Sequence, residues 1–134
     1  MCCFKFEYMK YLRILLWLIA AHSFTVALFL IMLSDEGMRF FGFSGGNPFF
    51  QVQGGVFHIV MCTAYLLAAT DLRSARKLIL FIIGAKTTAA IYLLIYFAFI
   101  DQICMVLISG LADGVMALLV FLLWNRHKKE VVYE

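Results

Sequence analysis

Residues 103–124, ICMVLISGLADGVMALLVFLLW, decide the fold of this chain. A helix needs about 20 mostly apolar residues to cross the hydrocarbon core of a bilayer, which is roughly 30 Å thick. This stretch has that length and contains one charged residue, Asp113. It predicts a transmembrane helix. The question is then which group pairs with the Asp113 carboxylate inside the membrane.

Three further stretches have the same character: residues 11–32, 54–70 and 78–100. The second is the shortest, and we expect its helix to begin inside the glycine-rich stretch before it. The first is longer than the apolar core of a signal peptide, about 7–15 residues, so we interpret it as a retained span. Within lipid, every backbone N–H and C=O group needs a hydrogen-bond partner in the protein. Four such segments do not fit a closed barrel, so we expect helices.

The composition agrees with a membrane protein. The chain has 134 residues, of which 65% are hydrophobic and only 14% charged, whereas soluble domains are about half apolar and a quarter charged. The mean hydropathy is +0.97. We therefore expect a single all-α transmembrane domain over residues 1–134.

Basic residues are distributed unevenly along the chain. If the helices alternate in direction, one side of the membrane receives nine of the eleven: Lys5, Lys10, Arg13, Arg73, Arg76, Lys77, Arg126, Lys128 and Lys129. The other side has only Arg39, among acidic residues. Basic residues mark the cytoplasmic side, so both termini are predicted to be cytoplasmic. The basic clusters are then explained by topology, and we expect no nucleic-acid partner.

The connections between the spans predict how the helices are arranged. The links after residues 70 and 100 are short, which makes neighbouring helices antiparallel and predicts an up-down-up-down four-helix bundle. The first connection, residues 33–53, is rich in glycine and phenylalanine and is predicted to be extracytoplasmic. It is either an interfacial loop that dips its aromatic rings into the headgroup region or a simple connector.

Ionisable residues within the spans form a candidate site. Lys86, Asp113 and His22 all lie roughly 13–17 Å from the cytoplasmic boundary, at about 1.5 Å per residue. A charged residue at a helix centre costs about 2.5–3.5 kcal/mol, so we expect Lys86 and Asp113 to pair, with His22 close by, unless one of them is neutral. His58 and Tyr65 on the second span lie above and below this level.

In each span the ionisable residue shares a helix face with small or polar residues, and we expect these faces to point into the bundle. The neighbours are Ser109 and Gly110 for Asp113, Gly55 and Tyr65 for His58, and Thr25 for His22. Gly110 and Gly114 also form a small-x-x-x-small pair, which lets another helix approach closely.

Several chemistries are disfavoured by the sequence. His22 and His58 could ligate a haem, but no arginine for its propionates lies near them, so haem is not expected. No metal-binding cluster, H-E-x-x-H, G-x-S-x-G or P-loop motif occurs, which argues against the common enzyme classes. Cys2 and Cys3 precede the first span and are loose candidates for acylation.

Four segments of the chain resemble the BphX-like proteins, small bacterial four-span membrane proteins similar in layout to the DoxX-like group. The segments are YLRILLWLIAAHSF (11–24), RFFGFSGGNPFFQVQGGVFHIVMCTAYLLAATD (39–71), LILFIIGAKTTA (78–89) and LISGLADGVMALL (107–119). The resemblance implies a bacterial inner-membrane location and matches Gly55, His58, Lys86 and Asp113 to recurring positions, without a catalytic role. Some DoxX-like members take part in quinone-linked sulfur oxidation, but this chain lacks paired cysteines for thiol chemistry.

Three functions remain open at this point. The first is a membrane protein that binds a lipid-like or quinone-like molecule, or a partner membrane subunit, through the intramembrane polar cluster. The second is a proton-coupled transport component that acts as an oligomer. The third is a structural accessory subunit, in which the ion pair only fixes the register of the helices.

Overall fold

The computed structural model describes the backbone of residues 2–43, 47–72 and 74–132, and the side chains of residues 8–43, 47–72 and 74–126. All regular structure in these ranges is helical, which confirms the all-α prediction there. The helices are α1 (Cys2–Met32), α2 (Asp35–Phe40), α3 (Pro48–Thr70), α4 (Arg76–Phe99) and α5 (Cys104–Val132). The side chains of Cys2, Cys3, Lys5, Arg73, Lys128 and Lys129, on which the acylation and part of the charge argument depend, lie outside the described residues.

Four of these helices are long and apolar enough to cross a membrane. The spans are Tyr8–Met32, Pro48–Thr70, Arg76–Phe99 and Cys104–Arg126. They contain the four stretches predicted from hydropathy, with small differences at their ends. The chain therefore has the architecture of an integral membrane protein with four helical spans.

The second span begins at Pro48, six residues before the apolar stretch 54–70 and inside the glycine-rich stretch, as expected. The side-chain oxygen of Asn47 accepts a hydrogen bond from the backbone N–H of Phe49 at 3.0 Å. Pro48 follows in the first helical position, where its missing N–H costs nothing. This capping pair starts α3 early. Gly54 and Gly55 are both helical residues, and Gly55 allows close packing on α1.

The predicted loop 33–53 is partly helical, since it contains α2 and the beginning of α3. The short helix α2 begins after Ser34, whose hydroxyl accepts a hydrogen bond from the N–H of Gly37 at 3.3 Å. Just after α2 the chain turns at Gly42, whose φ of 88° favours glycine. The exposed rings of Phe40, Phe49 and Phe50 lie on this part of the surface.

Gln51 joins the beginning of α3 to the end of α1. Its side-chain Nε2 donates hydrogen bonds to the carbonyl oxygens of Leu30 at 2.7 Å and Leu33 at 2.9 Å. The last carbonyls of a helix have no partner within the helix, and the membrane interior supplies no water for them. This half-buried amide therefore caps α1 from a neighbouring helix.

The helices do not pack equally on one another. The contact of α1 with α3 is the most extensive, followed by α4 with α5, then α1 with α5, while α3 and α4 touch only slightly. The apolar core draws on the first half of α1 and α4 and the second half of α3 and α5, with Leu16, Tyr65, Ile79 and Val120 among its most buried members. The weak α3–α4 contact leaves space between those two helices.

Candidate functional site

A cavity of about 220 Å³ occupies the space between α3 and α4. Its polar lining comes from His58 and Tyr65 on α3, Lys86 on α4 and Asp113 on α5. The small residues Ala85 and Ala89 of α4 leave room for it. Two exposed aromatic side chains, Phe57 of α3 and Tyr92 of α4, belong to the same lining, so the cavity opens on the outer surface of the bundle.

Lys86 and Asp113 form an ion pair at the inner wall of this cavity. Nζ of Lys86 lies 2.5 Å from Oδ1 of Asp113, and the two side chains are only 5% and 13% exposed. The expected pairing of these two charges is therefore confirmed. The Lys86 ammonium also lies 5.6 Å from the centre of the Tyr65 ring, within the range of a cation–π contact.

Close packing brings the two charged residues together. Gly110 lies one turn before Asp113, and a Cβ atom at Gly110 would be only 3.1 Å from the Cβ of Leu93 on α4. Gly110 therefore has the close-approach role expected from its spacing. At Gly114 an added Cβ would be 3.7 Å from the Cβ of Ala90, an ordinary van der Waals distance, so this second glycine is not needed for space.

Gly55 has the same role between α1 and α3. An added Cβ would lie 3.0 Å from the backbone oxygen of Ala27 and 2.5 Å from Cγ1 of Ile31. The backbones of the two helices thus approach each other one turn before His58. This contact fixes the position of His58 relative to α1.

Ser23 and His58 make the main polar contact between α1 and α3. The Ser23 hydroxyl oxygen lies 3.1 Å from Nδ1 of His58 and 3.1 Å from the His58 backbone oxygen. A hydroxyl donates one proton and a carbonyl oxygen only accepts, so both contacts are hydrogen bonds only if Nδ1 carries the ring proton. In the neutral imidazole Nε2 is then an acceptor, and it has no partner among the described residues.

His22 is not in the position expected from the sequence. It is exposed and lines a groove between α1 and α5, whereas Ser23 is completely buried. The expectation that the His22 face points into the bundle is therefore wrong. Each residue turns a helix by about 100°, and the buried face of α1 follows Leu12, Leu16, Ala20, Ser23 and Ala27, which excludes His22.

The two supporting hydroxyl residues named with this cluster also lie outside it. Thr25 is exposed, and its hydroxyl donates to the carbonyl oxygen of Ala21 in its own helix at 2.9 Å. Ser109 is exposed on α5, although it lies one turn from the mostly buried Asp113. The inward-facing prediction is wrong for both. Thr25 shares the outward face of His22, whereas Ser109 lies one turn from Asp113 and shares its face only approximately.

Sequence reasoning missed Ser23, Gln51 and the exposed aromatic pair Phe57 and Tyr92. Ser23 could have been found from the spacing of the small residues Ala20, Ser23 and Ala27, which is typical of a close helix contact. Gln51 follows the cap Asn47–Pro48, and an amide in the first turn of a span is a candidate for bonding to backbone. No local signal marks Phe57 and Tyr92, which line one cavity because α3 and α4 are separated by it.

The arrangement bears on the haem and metal hypotheses. His22 lines the groove between α1 and α5, and His58 lines the cavity between α3 and α4, so the two imidazoles do not face one shared space. Over the part of the chain that the structure describes, no three His, Cys, Asp or Glu side chains converge in a way that could hold a metal ion.

The cavity can bind a small polar group in an apolar setting. Its paired charges neutralise each other, so a group with a net charge gains little from them. Lys86 can donate, the His58 Nε2 atom can accept, and the surrounding side chains are mainly apolar or aromatic. No protein-family model, curated protein or solved structure matches the chain, so the geometry of this cavity carries the functional interpretation.

Proposed function

We propose that this protein binds the head of a lipid-like or quinone-like molecule in the cavity between α3 and α4. The observation that carries the proposal is the position of the buried Lys86–Asp113 pair at the inner wall of a cavity that opens on the outer surface of the bundle. An amphipathic molecule could enter from the bilayer through this opening, because its tail would remain in lipid while its head enters the cavity.

The size and the polarity of the cavity support this class of ligand. An apolar cavity of about 150 Å³ accommodates a benzene molecule, so a cavity of about 220 Å³ suits one substituted ring or a small polar head. A carbonyl or hydroxyl oxygen on that head would accept a hydrogen bond from Nζ of Lys86. A hydroxyl on it could donate to Nε2 of His58, the acceptor that the Ser23 contact implies.

The proposal includes an orientation and a location. The packing of the first half of α1 and α4 with the second half of α3 and α5 supports an antiparallel bundle. The basic residues Arg13, Arg76 and Arg126 at the ends of three spans support cytoplasmic termini. The proposed bacterial inner-membrane location rests on the resemblance to the BphX-like proteins. Labelling of single cysteines placed near residues 40 and 126 in intact cells should show only the first to be accessible from outside.

The family proposal is that the chain is a BphX-like protein. Three of the positions matched by that resemblance, His58, Lys86 and Asp113, line the same cavity, and Gly55 makes the close helix contact one turn before His58. Their convergence supports the view that the matched positions share one purpose. This convergence does not identify a reaction. The hydrogen-bond donor, the acceptor and the apolar lining of the cavity are features that suit ligand binding.

Ligand binding is tested with the purified full-length chain. Lipid extracts of the protein are analysed by mass spectrometry, and a benzoquinone with a short alkyl tail is titrated as a probe. The variant Ala89→Leu fills the cavity and should abolish saturable binding. Thr88→Leu is the matched control, since Thr88 is exposed on the same helix. Retention of no lipid or quinone, together with no saturable binding of the probe, would overturn the proposal.

A structural role for the ion pair is the second candidate, and the close contact favours it because each charge already has a partner. Replacing a buried ion pair by apolar residues of similar volume is often neutral or stabilising. The double variant Lys86→Met with Asp113→Leu therefore separates the candidates. If the pair binds the ligand, the double variant should fold but no longer retain the quinone probe. If the pair has only a structural role, the double variant should fold and bind the probe as the unmodified protein does.

A further inference from the structure

We propose that a second copy of this chain docks on the groove between α1 and α5, with His22 of each copy at the centre of the interface. The groove is shallow and open to the surface, with a volume of about 450 Å³. Leu18 and His22 line it on α1, and Leu111, Ala112 and Val115 line it on α5. It lies apart from the cavity between α3 and α4, so the inference does not depend on the proposed ligand.

The position of His22 is the observation from which we infer that another protein chain covers the groove. His22 lies near the middle of the span Tyr8–Met32, and its side chain is exposed on the surface that faces lipid. Among the described residues it has no hydrogen-bond partner. Lipid chains offer neither donor nor acceptor, so an imidazole at this depth is costly unless another protein surface supplies a partner.

The helix cannot turn His22 inward. Ser23, the next residue, is completely buried and contacts both Nδ1 and the backbone oxygen of His58. Gly55 of α3 lies against Ala27 of α1 and fixes the same rotation one turn later. The tertiary structure therefore holds His22 on the outside, where no described residue of the chain forms a hydrogen bond with it.

A second copy fits this requirement better than an unrelated helix. Two copies inserted in the same direction are related by a two-fold axis along the membrane normal, so residues at equal depth meet across that axis. A neutral imidazole has one donor and one acceptor, which makes His22 complementary to the partner subunit's His22. Ala112 of α5 is a small residue in the lining of the same groove, and small residues favour close approach of membrane helices.

The test is association of the full-length chain in lipid bilayers. Donor- and acceptor-labelled copies are reconstituted at a series of protein-to-lipid ratios, and the dissociation constant is obtained from energy transfer. His22→Leu should weaken association roughly three- to thirtyfold, the range expected for an interhelical hydrogen bond. Because this substitution removes a polar group from the lipid-facing surface, it should not impair folding. His22→Asn, which is also self-complementary, should retain part of the affinity.

The matched control is Thr63→Val, which removes an exposed hydroxyl from α3 that bonds only to its own helix at Ile59. It should leave the dissociation constant unchanged. A chain that is monomeric at every ratio, or a dimer that is unaffected by His22→Leu, would overturn the proposal. So would a monomer that retains one lipid per chain, lost in His22→Leu, or a different protein found in the groove.

Discussion

Lys86 and Asp113 lie on different helices, 27 residues apart in sequence, and their side chains meet with Nζ 2.5 Å from Oδ1. Each of the two charges is mostly removed from the surface. Inside a membrane protein neither charge is stable without the other, since the medium around them solvates charge poorly. Folding of the protein and any binding of a ligand in the cavity therefore both depend on this ion pair.

Exchange of the two charges tests the pair directly. Lys86→Asp places two carboxylates together and Asp113→Lys places two ammonium groups together, so each single variant should lose about 3–5 kcal/mol of unfolding free energy. The double variant, which restores opposite charges, should recover much of this loss. The measurement is the amount of folded protein in the membrane fraction together with its thermal unfolding in detergent. A double variant no better than either single variant would contradict a direct pair.

Ser23→Ala should loosen the contact between α1 and α3. The substitution removes a buried hydroxyl that contacts His58 at two atoms, and the expected loss is about 1–2 kcal/mol of unfolding free energy, as for other interhelical hydrogen bonds in membranes. Thr25→Val is the control, because the Thr25 hydroxyl bonds only to its own helix. Equal stability of the Ser23 and Thr25 variants in detergent unfolding would argue against this contact.

The same contact predicts the tautomer of His58. If Ser23 accepts from Nδ1 and donates to the backbone oxygen, neutral His58 carries its proton on Nδ1. Nitrogen NMR of histidine-labelled protein distinguishes the two ring nitrogens, and His58→Gln identifies the resonance. Ser23→Ala should shift the population toward the other tautomer. A resonance with the proton on Nε2 in the unmodified protein would show that the hydrogen bond runs from Ser23 to the ring.

Gly55→Ala should destabilise the bundle, whereas the same change at the neighbouring Gly54 should not. The added Cβ at Gly55 meets the backbone oxygen of Ala27 at 3.0 Å, and backbone cannot move aside as a side chain can. Overpacking of this kind costs about 1–3 kcal/mol. At Gly54 the nearest atom is Cδ1 of Leu30 at 3.6 Å, so stability should be unchanged or rise slightly. Similar melting temperatures for the two variants would mean that α1 and α3 do not approach so closely.

Gln51→Ala should release the end of α1. It leaves the carbonyl oxygens of Leu30 and Leu33 without the amide that bonds both of them, at an expected cost of about 1–3 kcal/mol. Gln53→Ala is the control, because Gln53 is exposed two residues away. Hydrogen exchange of α1 should rise in the first variant near residues 30–33 and stay unchanged in the second. Equal exchange in both would show that water or headgroups already cap α1.

The sequence predicted the parts of this protein that depend on position along a helix. Hydropathy located four spans. Counting residues from the predicted cytoplasmic boundary placed Lys86 and Asp113 at one depth, and the structure joins them. The glycine spacing at Gly110 likewise predicted a close contact. The second helix was expected to begin inside the glycine-rich stretch before residue 54, and it does. The cap at Asn47 and Pro48 that sets its first residue was not recognised.

The sequence did not determine how each helix is rotated about its own axis. α1 is apolar nearly all round, so its pattern does not show which face is buried, and one residue changes the direction of a side chain by about 100°. His22 was therefore expected inside, where the structure places Ser23. The sequence by itself determined that the chain has four apolar spans and that its two intramembrane charges share a depth. Only the tertiary structure decided which polar residue of α1 meets His58, and that α3 and α4 separate to form a cavity, because both depend on how whole helices pack together.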